Sequence, residues 1–372
     1  MGPSTSSSKS LLITAKEKRQ RYRFILEPLQ QFGKAEDIDL YVIDRLGVKT
    51  ILNLGRLLWQ NRYKNFILTS PEIYMVWIIL LRFLTQTKTQ IAVRLGGDLY
   101  KNSRSMIVTR LKKKKMIKAV YHLITRGLQF IVLRYCDAFI LVSAHLATEK
   151  KYRFLKKAPV YIIPQPKELN TDKQRHGIKD RRNLSILTVA NLNYKEKYDG
   201  IVLLIESLEN YANEIVDKNR SLTFHITGGG SYAGLLEKAL GKKSRSSNLS
   251  IYYNGFQKDI DACYAAANIF VYWSFMDLVP NVMLEAQSHG LPVLFYNTPE
   301  LKSVFSDSGM SFGSMEELGN KLEALWKEPY LYERYSLRSI ENIKNNYTYH
   351  VIAKRWEFFL NNLGQARRLC DQ

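Results

Sequence analysis

Short apolar strands alternate with helical stretches along the whole chain, in two series separated by a polar break. The first series places strands at 11–14, 40–43, 66–69, 91–95, 138–143 and 160–163, with helices between them. A strand followed each time by a helix cannot close as a hairpin, so each series is expected to form a parallel sheet with helices on its faces. Pro164-Gln165-Pro166 ends the first series, and residues 167–182 are charged and lack apolar periodicity, as a linker would be. The second series opens with strands at 185–189, 222–227 and 249–253, interleaved with helices at 201–211 and near 232–239, and continues with strands at 269–273 and 292–295. The expected architecture is α/β, two Rossmann-like domains facing each other across a cleft, over residues 1–166 and 183–345, with a final helix over 346–372 packing back on the first domain. A length of 372 residues suits two cores of ordinary size.

Charge divides as sharply as structure. Residues 1–182 hold 36 Lys and Arg against 13 Asp and Glu, a net of +23, while the remaining residues hold 19 against 21. A field of that size recruits an acidic partner such as anionic lipid, pyrophosphate or nucleic acid. The three cysteines are far apart and form no C-x-x-C pair, which points to a reducing compartment. No apolar stretch near Met1 has the length of a signal-peptide core, and the longest uninterrupted apolar run, 73–81, is about half of the roughly 20 residues that a spanning helix needs. That run is read as a buried helix, and the protein is expected to be cytoplasmic.

The densest chemical signal lies between residues 269 and 295. A strand ending at Ser274 leads to Asp277, then Pro280-Asn281-Val282 opens a helix that carries Glu285 and stops at Gly290, two residues before Pro292. Proline suits the first helical turn, and the unpaired amides there suit phosphate or sugar oxygens. Asp277 and Glu285, eight residues apart, are expected to turn toward one cleft as acceptors for sugar and ribose hydroxyls. Alone, a loop acid and a helix-start acid would be an ordinary solvated pair.

In this setting the segment resembles family 4 of the glycosyltransferases, of GT-B fold, with its E-x7-E pattern and following G-x-P. The likeness covers the second domain and, more loosely, the first. It implies a retaining enzyme that moves a hexosyl-type sugar from a nucleotide-diphosphate sugar, the base being uridine, guanosine or adenosine, to a glycan or lipid-linked acceptor, with no cofactor or metal. Asp277 stands where the family usually has Glu. Asn191 stands where an Arg usually meets the diphosphate, so that charge falls to Lys197, with Lys195 as the alternative. The resemblance further places Gly228 and Gly229 at a ligand-facing turn, Gly255 and Phe256 against the base, Ser274, Pro280, Asn281 and Val282 around the donor, and Glu285 on the ribose.

In the first domain, Arg94, Gly96, Gly97 and Asp98 fall where the family meets its acceptor, Asp98 being the candidate catalytic group. An N-capping aspartate fits that position equally well. A basic loop over 16–23 replaces the glycine-rich loop usual after the first strand. Lys112, Lys113, Lys114, Lys115 and Lys118 open a stretch to residue 134 whose apolar residues recur at helical spacing. It reads either as a helix lying on anionic lipid or as a core helix with a basic end. The domain-wide charge favours lipid, giving an expected peripheral location at the cytoplasmic face of a membrane. The strings Asp37-x-Asp39 and Asp259-x-Asp261 read as strand-start and helix-start acids. Competing readings are a catalytically degenerate scaffold, a GT-B epimerase or phosphorylase, and a nucleic-acid binder. No aromatics interleave with the basic run as a stacking platform requires, so no nucleic acid is expected.

Overall fold

In a computed structural model the chain divides into two compact units, Met1–Pro166 with Tyr349–Gln372, and Lys167–Thr348. The structure describes residues 9–16, 20–33, 35–112, 116–170, 178, 180, 182–215, 219–241 and 246–363.

The first unit is built on a six-stranded parallel sheet of β1 (Ser10–Ala15), β2 (Ile38–Ile43), β3 (Asn65–Leu68), β4 (Gln90–Leu95), β5 (Ala138–Leu141) and β6 (Val160–Ile162), in the order β2-β1-β3-β4-β5-β6. The central strands are apolar at nearly every position because helices cover both faces. On one face, Leu12, Ile67, Ala92 and Ile140 meet Ile25 and Leu29 of α1 (Gln20–Gln31) and Ile352, Trp356 and Phe359 of α14 (Tyr349–Asn362). The spacing of those three α14 residues is the i, i+4, i+7 stripe of a helix that buries one side. Chain distant in sequence thereby completes the core of the first unit.

The four helices α2 (Val48–Trp59), α3 (Tyr74–Thr85), α4 (Leu99–Lys112) and α5 (Met116–Leu133) behave differently. α2 packs on α3, α3 on α5 and α5 on α4. Yet each leaves large apolar side chains exposed, including Leu52 and Trp59, Phe83 and Leu84, Met106 and Leu111, and Ile117 and Ile124. The run at 73–81 is accordingly only half buried: Tyr74, Met75, Ile78 and Ile79 face inward, whereas Trp77 and Leu80 are exposed. The basic apolar stretch is not one helix but two, α4 and α5, and Lys113, Lys114 and Lys115 lie outside the described residues. α5 has 18 residues and a mean hydropathy of 1.2, long and apolar enough to cross a membrane by length and composition alone, and only 22% of it is buried.

The second unit has its own six-stranded parallel sheet: β7 (Asn183–Val189), β8 (Ser221–Thr227), β9 (Leu249–Gly255), β10 (Ile269–Tyr272), β11 (Val293–Tyr296) and β12 (Met310–Phe312), in the order β12-β11-β10-β7-β8-β9. The chain winds outward from β7 through β8 to β9, then crosses back to β10 beside β7. The strand order therefore reverses between β7 and β10. In open α/β sheets the crevice beyond the carboxyl ends at such a reversal is where ligands bind.

Candidate active site

Two loops flank that reversal, 190–194 after β7 and 273–280 after β10. The first leads into α7 (Lys195–Glu214) and the second into α10 (Asn281–Ser288). Lys197 lies in the first turn of α7 and is only 6% exposed. Its ammonium donates to Tyr272 Oη at 2.6 Å and to Ser274 Oγ at 2.7 Å, and pairs with the Asp277 carboxylate. Asp277 also accepts from the Tyr272 hydroxyl and, at 3.1 Å, from Ser274. One lysine, one carboxylate and two hydroxyls thus close a single network at the end of β10.

Burial by itself would raise the Asp277 pKa, but the Lys197 charge and the hydrogen bonds from Lys197, Tyr272 and Ser274 outweigh it and hold the carboxyl below its ordinary 3.8. Burial, and then the Asp277 charge, push the Tyr272 phenol well above 10.0, so it stays a neutral donor.

The network depends on close approach of α7 to β10. Gly200, one turn after Lys197, lies so near Trp273 that an added Cβ would sit 2.9 Å from the Trp273 carbonyl oxygen. Glu196 holds the same loop from the other side by accepting from the Phe275 amide.

Glu285 is held by a different set. Lys167 donates to its Oε1 at 2.6 Å and Tyr264 to its Oε2 at 3.1 Å. The Tyr264 ring stacks on His289, 5.2 Å between centroids, and His289 Nδ1 lies 2.9 Å from the Glu285 carbonyl oxygen. Burial, and then the Glu285 charge, raise the Tyr264 pKa well above 10.0. Asp277 and Glu285 therefore do not share a partner. Lys167, from the stretch read as linker, was invisible as a site residue, since nothing in a polar run marks one lysine among several.

Asn191 and the glycine turn have structural work. Asn191 Oδ1 accepts from the backbone and side-chain amides of Asn193, and Asn193 Oδ1 accepts from the amide and hydroxyl of Ser231. Gly228 and Gly230 adopt φ of +136° and +146°, and a Cβ on them would lie 1.9 Å from the Ala190 oxygen and 2.4 Å from the Asn193 nitrogen. The glycines let this turn press against loop 190–193 rather than open backbone toward a ligand; Gly229 sits between them, 3.4 Å from Phe256 by the same measure. Gly255, at φ +64°, ends β9 and accepts from the Gly228 amide, and Phe256 beyond it is 77% exposed, free to stack on a planar group. Lys195 pairs with Asp199 at 2.6 Å on an exposed helix face, outside the buried network that holds Lys197. Pro280 caps α10, and the first-turn amides of Asn281 and Val282 lie where no intrahelical acceptor exists.

In the first unit, Arg94 is buried on β4, and Gly96 and Gly97 follow it in the turn. Asp98 is 2% exposed and accepts from the Tyr100 and Lys101 amides at 2.9 and 3.1 Å, from Lys151 at 2.7 Å and from Tyr152 at 2.9 Å. Burial opposes ionisation here, but those donors win and lower its pKa. The geometry gives Asp98 the capping role, its Oδ1 taking three of these hydrogen bonds and its Oδ2 the one from Lys151. Lys118 is exposed on α5. Asp39 accepts from the Tyr63 hydroxyl and Asp259 caps a helix through the Ala262 amide.

Two six-stranded parallel α/β units, the second with a lysine and two carboxylates at its strand-order reversal, have the architecture of the GT-B fold. Residues 183–328 match the family model Glycosyl transferases group 1. Among solved structures the chain is similar to Anabaena Alr3699/HepE in complex with UDP-glucose, at 11% identity and a TM-score of 0.65, covering 95% of this chain and 99% of that one. It is also similar to a glycosyltransferase from Rickettsia africae, at 13% identity and a TM-score of 0.62 over 95% and 98% of the two chains. The pneumococcal O-GlcNAc transferase GtfA, in complex with UDP and GlcNAc, matches at 15% identity and a TM-score of 0.55 over 84% and 59%. No curated protein sequence matches the chain.

Two predictions test the network. Gly200→Ala should cost about 1–3 kcal/mol of the second unit's stability, because the new methyl meets backbone that must move. A gain of about 1 kcal/mol in a denaturant titration, the effect of helix propensity alone, would show that α7 does not lie this close. Because the folded-state pKa of Asp277 is depressed, its contribution is present above the unfolded value and is lost as pH falls below about 4. Asp277→Asn should flatten the acid limb of stability against pH between about 5 and 2, and an unchanged limb would sink the assignment.

Proposed function

We propose that this protein is a retaining hexosyltransferase that takes its sugar from a uridine-diphosphate donor and delivers it to a glycan or lipid-linked acceptor at the cytoplasmic face of a membrane. The observation that carries the reading is the Lys197–Asp277 network at the β7/β10 reversal. A sugar-diphosphate donor needs a cation beside its phosphates and carboxylates for its hydroxyls, and these are the groups assembled there. The choice of uridine rests on the HepE and GtfA structures, whose bound ligands are UDP-glucose and UDP with GlcNAc.

Departure of the diphosphate builds negative charge. Lys197 and the first-turn amides of α10 offset it, which is where preorganised charge lowers a barrier most. Asp277 and Asn281 hold the sugar and Glu285 the ribose, with Lys167 keeping the Glu285 carboxylate oriented. Retention places the acceptor hydroxyl on the same face as the leaving phosphate, which then takes its proton. The membrane part of the reading rests on α2, α3, α5 and α4, adjacent helices that all expose large apolar side chains in the half of the chain carrying the net positive charge. Exposed apolar side chains on neighbouring helices in a strongly basic half suit the headgroup boundary of a bilayer.

The test is nucleotide release from UDP-, GDP- and ADP-sugars, with and without anionic vesicles carrying a polyprenyl-linked acceptor. Turnover is expected with one UDP-sugar, and Glu285→Ala should raise its KM about 10- to 100-fold by removing a charged hydrogen-bond acceptor. Absence of binding to any donor would leave a degenerate scaffold as the better reading. Separately, Ile117→Glu with Ile124→Glu should abolish co-sedimentation with anionic vesicles while leaving UDP binding intact. Undiminished co-sedimentation would remove the membrane face.

A further inference from the structure

The first unit contains a concavity of about 360 Å3 with no acidic side chain in its lining. Tyr100 of α4 and Phe130 of α5 stack at 4.3 Å to form one wall. Arg134 at the end of α5, and Lys150, Arg153 and Lys157 on the 3-10 segment Lys150–Lys157, surround it. A fifth cation, Lys151, is already engaged with Asp98 at 2.7 Å and Glu149 at 3.3 Å. The other four have no ion-pair partner among the described residues.

Four like charges converging on one hollow repel one another, and that repulsion is relieved by an anion among them. Low-dielectric walls intensify the field such a cluster makes. The hollow is also built, not merely charged. Tyr152, fully buried, donates to Asp98; Tyr100 donates to the Lys151 carbonyl at 3.2 Å; and Tyr152 and Leu155 root the segment in the core. Asp98 thus ties the start of α4 to the segment that bears the cations, which gives its capping role a second effect. Two guanidiniums offer the forked donors that match phosphate oxygens.

We propose that this hollow is a phosphate site, taking a phosphomonoester or diphosphate group either from a lipid headgroup or free in solution. The aromatic wall belongs to the same two helices that expose Ile117, Ile124 and Leu111, so a headgroup on a bilayer and a soluble phosphate both have a route in. The proposal does not rest on the UDP-sugar reading, since none of its residues belongs to the second unit.

The experiment uses the full chain and two exposed double variants of equal charge change, Arg134→Gln with Arg153→Gln at the site, and Arg45→Gln with Lys49→Gln elsewhere on the first unit. Each is titrated calorimetrically with inorganic pyrophosphate, and sedimented with phosphatidylcholine vesicles doped with phosphatidic acid or, at matched surface charge, with phosphatidylglycerol. Wild type should prefer phosphatidic acid or bind pyrophosphate, and the site variant should lose about thirtyfold in that affinity while the control keeps it. A lost vesicle preference identifies a lipid source, and lost pyrophosphate binding without any vesicle preference identifies a free one. Pyrophosphate binding that survives undiminished in the site variant, with no vesicle preference lost, overturns the proposal. Equal losses in the two double variants, or no preference and no binding in wild type, overturn the proposal. An unchanged circular dichroism spectrum and thermal unfolding curve show that the site variant is folded, and unchanged UDP binding separates this result from failure of the donor reading.

Discussion

The second unit is organised around a buried ammonium. Withdrawing Lys197 from water costs several kcal/mol unless its charge is met, so the position of every group around it is constrained at once. The Tyr272 and Ser274 hydroxyls and the Asp277 carboxylate together take its three hydrogens. That requirement fixes the end of β10, the course of loop 273–280 and the approach of α7, which Gly200 alone makes possible. It also accounts for an aspartate where the family usually has glutamate. Here the carboxylate reaches back to a lysine and a tyrosine close to its own backbone, and a side chain one methylene longer would have to fold away from them.

The two carboxylates are prepared differently for their tasks. Asp277 is charge-balanced by a lysine that sits in the same network and would answer to any incoming phosphate. Glu285 is balanced by Lys167, whose backbone amide is itself fixed by donating to the Tyr347 carbonyl at 2.7 Å. In the proposed reaction a donor diphosphate would compete for Lys197 and so loosen its hold on Asp277, freeing that carboxylate for sugar hydroxyls as the donor arrives. No such competition falls on Lys167, and Glu285 keeps its orientation throughout. Coupling of this kind needs no moving domain; it follows from one cation serving two anions.

Much of this was legible in the sequence because it is written locally. Strand positions followed from apolar runs between turn residues, and β7 to β11 lie within a few residues of where those runs fall. β12 did not, since Met310-Ser311-Phe312 is too short and mixed to signal a strand and forms only because β11 offers an open edge. Asp277, Glu285 and Lys197 stood out through the resemblance of their segments to the family's, since spacing alone would have left an ordinary solvated pair of acids. Lys167 did not, because its partner is 118 residues away. Gly228 and Gly229 were read as a turn facing a ligand, but sequence does not say which neighbour approaches a glycine; beside Gly228 and Gly230 it is loop 190–193. For Asp98 the capping alternative is the one the hydrogen bonds favour. The helical run at 73–81 misled because apolar content measures what a helix can bury, not what the fold has left to cover it.

That last point bears on the division of labour between the halves of the chain. The second unit spends its polar residues internally, on networks that place a few charges to within hydrogen-bonding distance, and residues 183–372 are nearly neutral overall. The first half does the reverse, carrying the net charge of +23 while leaving apolar side chains exposed on four adjacent helices. Neither property stabilises a fold in water: like charges repel, and exposed leucine and tryptophan gain nothing from solvent. A single surface relieves both, one with anionic groups above an apolar layer. Were the excess charge only a solubility device, it would be expected on both halves and without an apolar face beside it. Its confinement to one half, together with that face, is the physical argument behind the proposed membrane face of the first half of the chain.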